Sequence, residues 1–311
     1  MSAREAMIRV EGLTRRFGDL VAVDALSFDV ARGELFGLVG PDGAGKTTTL
    51  RMLAGVLRPT TGDATIGGVS VAASPERVKR AIAYMPQRFG LYADLTVIEN
   101  LHFYADLYRV PRAERRARLD RLFEFSGLSP FRERLAGKLS GGMKQKLALS
   151  CALVHQPDVL LLDEPTFGVD PISRRELWVI VHEMVAGGTT VAVSTSYMDE
   201  AERFDRLVLL HSGRSIALGD PAELRSAFAG ELVSMRVPRA REAKPVTEEL
   251  PEVRRAIVFG DRLHLTVGSA ERDAPRIASA LGQRGFPVTE ISRIEPGLED
   301  VFIELVEGAA A

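Results

Sequence analysis

A mixed α/β core carrying a helical insert, followed by a small α+β appendage, is the fold class this sequence predicts. Three observations predict it. Strand-sized apolar runs with one helix fill the first seventy residues, and from 159 to 211 such runs alternate with helices, the pattern of a sheet covered by helices. A mostly helical tract interrupts them between 75 and 155. A polar, proline-containing stretch at 239–251 then sets off a last tract of different character.

Short β-type runs at 7–10, 26–30, 35–39 and 64–66 dominate the first seventy residues, broken by one helix-like stretch at 46–56. Residues 96–108, 112–125 and 142–155 repeat apolar side chains every three or four positions, which makes one face of a helix apolar. After this insert, expected strands at 159–162, 189–194 and 206–211 alternate with helices at 172–185 and 198–204, the order of parallel βαβ units. Asp170 followed by Pro171 suits a helix start: the carboxylate accepts from free amides, and proline has no amide to leave unpaired. Beyond the boundary, strands are expected at 232–237, 256–259, 263–267 and 288–294, with helices at 270–283 and 298–306. The domain bounds read as 1–230 and 231–311, with the helical insert at about 89–150.

With 311 residues, 46% hydrophobic and 26% charged, the chain can bury a large core and a second, smaller one. Its longest apolar runs, such as 159–162 and 207–210, are far short of the roughly 20 residues that span a bilayer. The opening stretch Met-Ser-Ala-Arg-Glu-Ala has no apolar run behind a basic cluster, so no secretory leader and a cytoplasmic location are expected. A single cysteine, Cys151, excludes an internal disulfide and reads as a core residue. A net charge of -2 offers no bulk attraction to nucleic acid, and none is expected as a partner. The five histidines have no metal-site spacing, and the basic run at 109–121 reads as a solvated helix face.

The motifs are more specific. Gly40-Pro41-Asp42-Gly43-Ala44-Gly45-Lys46-Thr47 follows an apolar strand and opens a helix at Thr48. Glycines there let backbone amides curl around phosphates at a helix N-terminus; Lys46 reaches the β and γ phosphates of ATP, and the Thr47 hydroxyl can ligate Mg2+. Asp163 ends the apolar strand 159–162, where a carboxylate can hold the magnesium shell, and Glu164 beside it can deprotonate an attacking water. Between these two motifs lies Leu139-Ser140-Gly141-Gly142-Met143-Lys144-Gln145-Lys146, a glycine-rich helix opening of much narrower occurrence.

Together these residues resemble the nucleotide-binding subunits of ATP-binding cassette (ABC) transporters, over about residues 7–225. The resemblance implies a P-loop NTPase of ABC type, a mixed sheet core with a β subdomain and a helical subdomain. It also assigns roles. Phe17 matches the aromatic that stacks on adenine, and Gln87 matches the glutamine that contacts Mg2+ and the attacking water and tracks the membrane partner. Ser140, Gly141 and Gly142 would bind the γ phosphate of ATP held on an opposite subunit, so that two chains close head to tail over two nucleotides. The stretch Pro165-Thr166-Phe167-Gly168-Val169-Asp170 matches the loop that crosses to the facing subunit, with Phe167 in place of the usual serine.

A second position departs from the family pattern. The histidine expected past the last core strand, which helps hold the attacking water, is Ser196. A hydroxyl is shorter than an imidazole and has no base function near neutral pH, so slow hydrolysis at the chain's own site is expected. The wording around Ser196 is similar to the first ATPase half of bacterial tandem exporters whose operons include a membrane-fusion protein. The resemblance therefore implies an ATPase subunit of an ABC-2 type exporter of drugs or other small hydrophobic molecules, peripheral on the inner face of the bacterial membrane. It implies as partners an integral membrane permease, a second ABC ATPase in a homo- or heterodimer, and a membrane-fusion protein. Two alternatives stay open: an ATP-binding regulatory subunit with weak hydrolysis, and a soluble non-transport ATPase of the same superfamily.

Overall fold

The structure, a computed structural model, describes residues 5–308; positions 1–4 of the stretch read for a leader and the alanines at 309–311 lie outside the described residues. The chain divides into two compact units, Met1–Pro221 and Ala222–Ala311.

In the first unit, strands Ala6–Phe17 and Leu20–Ala31 pair antiparallel and, with Thr61–Ile66 and Val69–Ser70, form a four-stranded sheet. Ile8 and Val10 are buried while Arg9 and Glu11 are exposed, the period-2 alternation of a sheet with one wet face. Register shifts between Val10 and Leu13 and around Arg15 break that alternation, which is why the sequence discloses only the fragments 7–10 and 26–30 of two twelve-residue strands.

The second sheet has six strands in the order Arg214–Gly219, Arg206–His211, Leu35–Val39, Thr190–Thr195, Val159–Asp163, Ile82–Met85. All its pairings are parallel except that of the Arg214–Gly219 edge. Every residue of Leu35–Val39, Val159–Asp163 and Thr190–Thr195 is buried, as expected when a parallel sheet is covered on both faces. Strand Ile82–Met85 corrects the expectation of a mostly helical tract from residue 75; four residues are too few for a period to be read, and it forms only by pairing with Val159–Asp163. Within Leu35–Val39, Gly37 packs directly on an aromatic ring: a Cβ there would stand 2.2 Å from Phe204 Cδ2.

Helices Val97–Leu107, Arg112–Ser126 and Gly141–Leu153 form the helical insert. Val97, Leu101, Phe123, Leu147 and Cys151 meet in a core of its own. Burial pushes the Cys151 thiol up, so it is an inert packing residue. Thr96 and Glu99 close the first helix with a capping box. The expected helices at 96–108, 112–125 and 142–155 match these within two residues.

The second unit is an antiparallel sheet in the order Val253–Phe259, Arg262–Val267, Glu231–Arg236, Glu290–Ile294. Helices Ala240–Glu248 and Ala270–Gln283 contribute Ala243, Ile277 and Leu281 to one core with Val233, Met235, Leu263 and Leu265. The first of these helices occupies the polar stretch that the sequence marks as a boundary. Its buried positions, Ala240, Ala243 and Thr247, do recur every three or four residues, but they are small and sit among Arg, Glu, Lys and Pro245. Among the described residues, no helix is long and apolar enough to cross a membrane.

Gly37→Ala forces either Phe204 or the central strand to move, and overpacking of this kind costs about 1–3 kcal/mol. Chemical denaturation should show the midpoint falling with an unchanged slope. A midpoint equal to the parent's would mean that Phe204 turns aside freely.

Candidate functional site

Strand Leu35–Val39 runs straight into the glycine loop, and helix Lys46–Leu53 starts where the loop ends. The three loop glycines are there for different reasons. A Cβ at Gly40 would lie 2.2 Å from Leu210 O; Gly45 has φ +100° and would also meet Ala22 O at 2.7 Å. Gly43 has φ +80° and open space around it, so its requirement is backbone conformation alone. Ala44 is buried, and its amide donates to Pro41 O, which closes the loop on itself.

Lys46 is only 5% exposed. Its Nζ donates to Gly40 O at 2.7 Å and Pro41 O at 3.0 Å, and stands 3.1 Å from Glu164 Oε1. Next to it, Thr47 Oγ1 donates to Asp163 Oδ1 at 2.8 Å, and Ser194 Oγ donates to the same oxygen at 2.7 Å. Tyr84 OH reaches Asp163 Oδ2 at 3.3 Å. Burial, together with the charge of Asp163, pushes the Tyr84 phenol up to about 12, so it remains a neutral donor at every physiological pH.

Glu164 is a buried non-glycine residue with φ +49°, the left-handed region that costs such residues about 1–2 kcal/mol. Its amide donates to Ser194 Oγ at 3.0 Å and Ser194 O at 3.2 Å, which holds the backbone in place. Its carboxylate is gripped from the other side by Ser196, whose amide donates to Oε2 at 3.2 Å and whose Oγ lies 3.1 and 3.2 Å from the two oxygens. Ser196 therefore does meet the acid, and it does so by hydrogen bonding.

A cleft of about 520 Å³ brings together Phe17, residues 42–48, Gln87 and Glu164. Phe17 is half-exposed, with the Arg15 guanidinium 4.4 Å from its ring centroid, so one ring face carries a cation. Leu20, Val21, Ala22 and Ser212 also line the cleft and were not foreseen. The first three simply follow Phe17 into the next strand; Ser212, with φ +49° in a tight Ser-Gly turn, carries only a weak turn signal. The hydroxyl of Thr47, the carboxylate of Asp163 and the amide oxygen of Gln87 are hard oxygen donors of the kind that suit a small divalent cation beside phosphates.

Ser140, Gly141, Gly142 and Asp170 do not line this cleft. Ser140 caps helix Gly141–Leu153, its Oγ accepting from Met143 N at 3.3 Å. Asp170 caps helix Pro171–Ala186, accepting from Ser173 N at 3.0 Å and Ile172 N at 3.1 Å, and the Ser173 amide and hydroxyl, with the Ile172 amide, hold its carboxyl below the usual range. The two caps meet at Gly142, where a Cβ would stand 2.1 Å from Ser173 Oγ and 3.4 Å from Asp170 Oδ2. A second groove of about 340 Å³ shares Gln87 with the cleft and adds Phe89, Leu91, Gly137 and Lys144. A larger one, about 810 Å³ between Arg118, Phe125, Leu153 and Met184, holds none of the predicted site residues.

Comparison with known proteins shows what the whole chain is similar to. A family model described as ABC transporter matches residues 23–167, and one described as ATP-binding protein DrrA1-3-like, C-terminal domain, matches residues 219–306. The chain is 46% identical over 310 residues to the probable multidrug ABC transporter ATP-binding protein YbhF of Escherichia coli (strain K12), covering 98% of the chain but 53% of that protein. It thus spans about half the length of this relative. The Nod factor export ATP-binding protein I of Ralstonia nicotianae is 36% identical over 304 residues, 96% of the chain and 93% of the relative. The daunorubicin resistance ATP-binding protein DrrA2 of Streptomyces coeruleorubidus is 34% identical over 303 residues, 96% and 94% of the two. Among solved structures, an ATP-binding subunit of an ABC transporter superposes with a TM-score of 0.65 at 33% identity, over 71% of this chain and 92% of that one. An ATP-binding cassette solved as a dimer in a post-hydrolysis state, bound to ADP and Pi, gives 0.63 at 25% identity, over 69% and 98%.

The two signature glycines should separate in their response to alanine. Gly142→Ala collides with Ser173 inside the chain and should cost about 1–3 kcal/mol of stability. At Gly141 the nearest atom is Gly168 O at 3.9 Å, so Gly141→Ala should leave the thermal midpoint of the isolated chain within about 1 °C, a shift that corresponds to about 0.5 kcal/mol for a domain of this size. Equal midpoints for the two variants would contradict the packing described.

Proposed function

Because this chain belongs to the family of ATP-binding subunits of ABC transporters, we propose that it binds and hydrolyses ATP to drive export through a separate membrane permease. The observation that carries the reading is the pairing of Lys46 with Glu164 at 3.1 Å beside the pairing of Thr47 with Asp163 at 2.8 Å. The loop glycines and the N-terminus of helix Lys46–Leu53 offer amides to the phosphates of ATP. Lys46 has three N–H bonds to give, and its present partners are loop carbonyls and Glu164, so it can turn to phosphate oxygens without leaving the loop. Phe17, with its cation-backed ring, stacks on the base.

Thr47, Asp163 and Gln87 would hold Mg2+, which supplies charge neutralisation on the phosphate oxygens when bound. Glu164 accepts a proton from the attacking water, whose oxygen bonds to the terminal phosphorus as the bond from that phosphorus to the bridging oxygen breaks, and ADP and phosphate leave. Ser140, Gly141 and Gly142 sit outside the chain's own cleft, which supports their action on ATP held by a second ATPase subunit. Gln87 borders both the cleft and the groove with Phe89 and Leu91, which supports its role in relaying the state of the nucleotide to the permease. The cargo class is small hydrophobic molecules, by likeness to relatives named for drug resistance and multidrug transport. The permease would hold the chain at the inner face of the membrane, and a membrane-fusion protein completes the proposed assembly.

Ser196 favours a second feature. Its hydroxyl and amide spend their hydrogen bonds on Glu164, and it brings no imidazole to the terminal phosphate. Hydrolysis at this site is accordingly slow, and a partner ATPase supplies the faster site; at the extreme, the chain is a regulatory subunit that binds ATP with little turnover.

Four measurements test this reading. Lys46→Ala should abolish ATP-dependent turnover of the chain copurified with its partners, and Glu164→Gln should keep ATP binding while lowering kcat by about 10²-fold or more. Ser196→His should raise the single-turnover rate; brisk hydrolysis by the parent and no gain in the variant would refute a weakened site. Extraction of the tagged chain in detergent should recover a multi-spanning membrane protein, and repeated failure to recover one would refute the exporter assignment.

A further inference from the structure

Glu200 is 1% exposed and has no part in the chemistry above. Its Oε1 accepts from Thr166 Oγ1 at 2.7 Å and from Trp178 Nε1 at 3.1 Å, and its Oε2 accepts from Thr195 Oγ1 at 2.6 Å. The Arg174 guanidinium lies 3.7 Å away and also stacks on Tyr197. A carboxylate this deep is tolerated only when it has partners, and here three hydrogen bonds and the nearby Arg174 cation supply them.

The placement of these partners matters more than their number. Thr166 lies two residues after Glu164. Thr195 immediately precedes Ser196, which grips the Glu164 carboxylate. Arg174 and Trp178 belong to helix Pro171–Ala186, whose first turn, through Asp170 and Ser173, packs against Gly142. One buried carboxylate thus ties both segments that flank Glu164 to the helix that touches Gly142.

We propose that Glu200 is a positioning residue that couples the 140–142 segment, which meets a facing subunit's nucleotide, to Glu164 in the chain's own cleft. This role rests on the proposed function in one respect, that Glu164 faces ATP bound in the chain's own cleft. Movement of helix Pro171–Ala186 then shifts Glu200, and through Thr166 and Thr195 it shifts the carboxylate on both sides. Trp178 is the chain's single tryptophan, and its indole N–H is one of the Glu200 bonds, so its emission reports directly on this junction.

The experiment uses the full chain with ATP and Mg2+ as probe, reading Trp178 emission, nucleotide affinity by displacement of a fluorescent ATP analogue, and kcat and KM. ATP should change the emission of the parent. In Glu200→Ala the emission change should vanish and kcat should fall at least tenfold, while affinity and KM stay within threefold; Glu200→Gln, which keeps neutral hydrogen bonds to the two threonines, should recover a third or more of kcat. If Glu200→Ala does not fold, Thr195→Val, which removes one bond, should lower kcat at least threefold at unchanged KM. A lowered melting temperature with intact kcat and intact emission response would reduce Glu200 to packing and overturn the proposal, as would a parent that binds ATP without any emission change. A parent that binds ATP and shows the emission change but never hydrolyses it sinks the ATPase reading alone, and loss of the response in Glu200→Ala then still supports the coupling. A parent that does not bind ATP sinks both.

Discussion

The register of three neighbouring strands is the constraint from which the site follows. Leu38 pairs with Ser194, and Ser194 pairs with Asp163, so the ends of Leu35–Val39 and Val159–Asp163 are aligned through the strand between them. That alignment brings the glycine loop, which leaves the first strand, level with Asp163 and Glu164, which end the other. Side chains alternate faces along a strand, so a slip of one residue would turn Asp163 away from Thr47 and Ser194 away from both acids. The full burial of all three strands fixes the register, because any slip would trade apolar contacts for unpaired backbone.

Ser194 shows how much this alignment carries. Its hydroxyl donates to Asp163 and accepts from the amide of Glu164, and its carbonyl receives the same amide. Glu164 keeps a left-handed backbone, unfavourable on its own, because sheet, Ser194 and Ser196 together leave it no other. Strain held by surrounding structure in this way gives an acid a fixed position before substrate arrives, which is the condition for efficient proton transfer.

Much of this was legible in the sequence, and the reason is locality. The loop from Gly40 to Thr47, the acid pair after an apolar strand, the helix opening after Ser140 and the Asp170 cap are each written in a few consecutive residues whose chemistry does not depend on the rest of the chain. What escaped was set by partners far away in sequence. Strand Ile82–Met85 exists because Val159–Asp163 is there to pair with it. Gly142 reads as a phosphate-contact glycine, yet its buried neighbour is Ser173, thirty-one positions later by the numbering. Ser212 enters the cleft only because its turn lies over Ala22 and Ala44 through Gly213. Helix Ala240–Glu248 hides its face in small residues, which a hydrophobic pattern underweights.

The separation of residues 140–142 from the chain's own cleft has a thermodynamic corollary. In a head-to-tail pair, each nucleotide is bound partly by one chain and partly by the other, so ATP affinity and subunit association become linked quantities. Whatever factor a partner adds to nucleotide affinity, nucleotide must add to partner affinity. In the proposed pair, dilution would then weaken ATP binding, and hydrolysis, by removing the shared ligand, would loosen it. Such a site would behave as a reversible adhesive whose strength is set by mass action on both the fuel and the subunits.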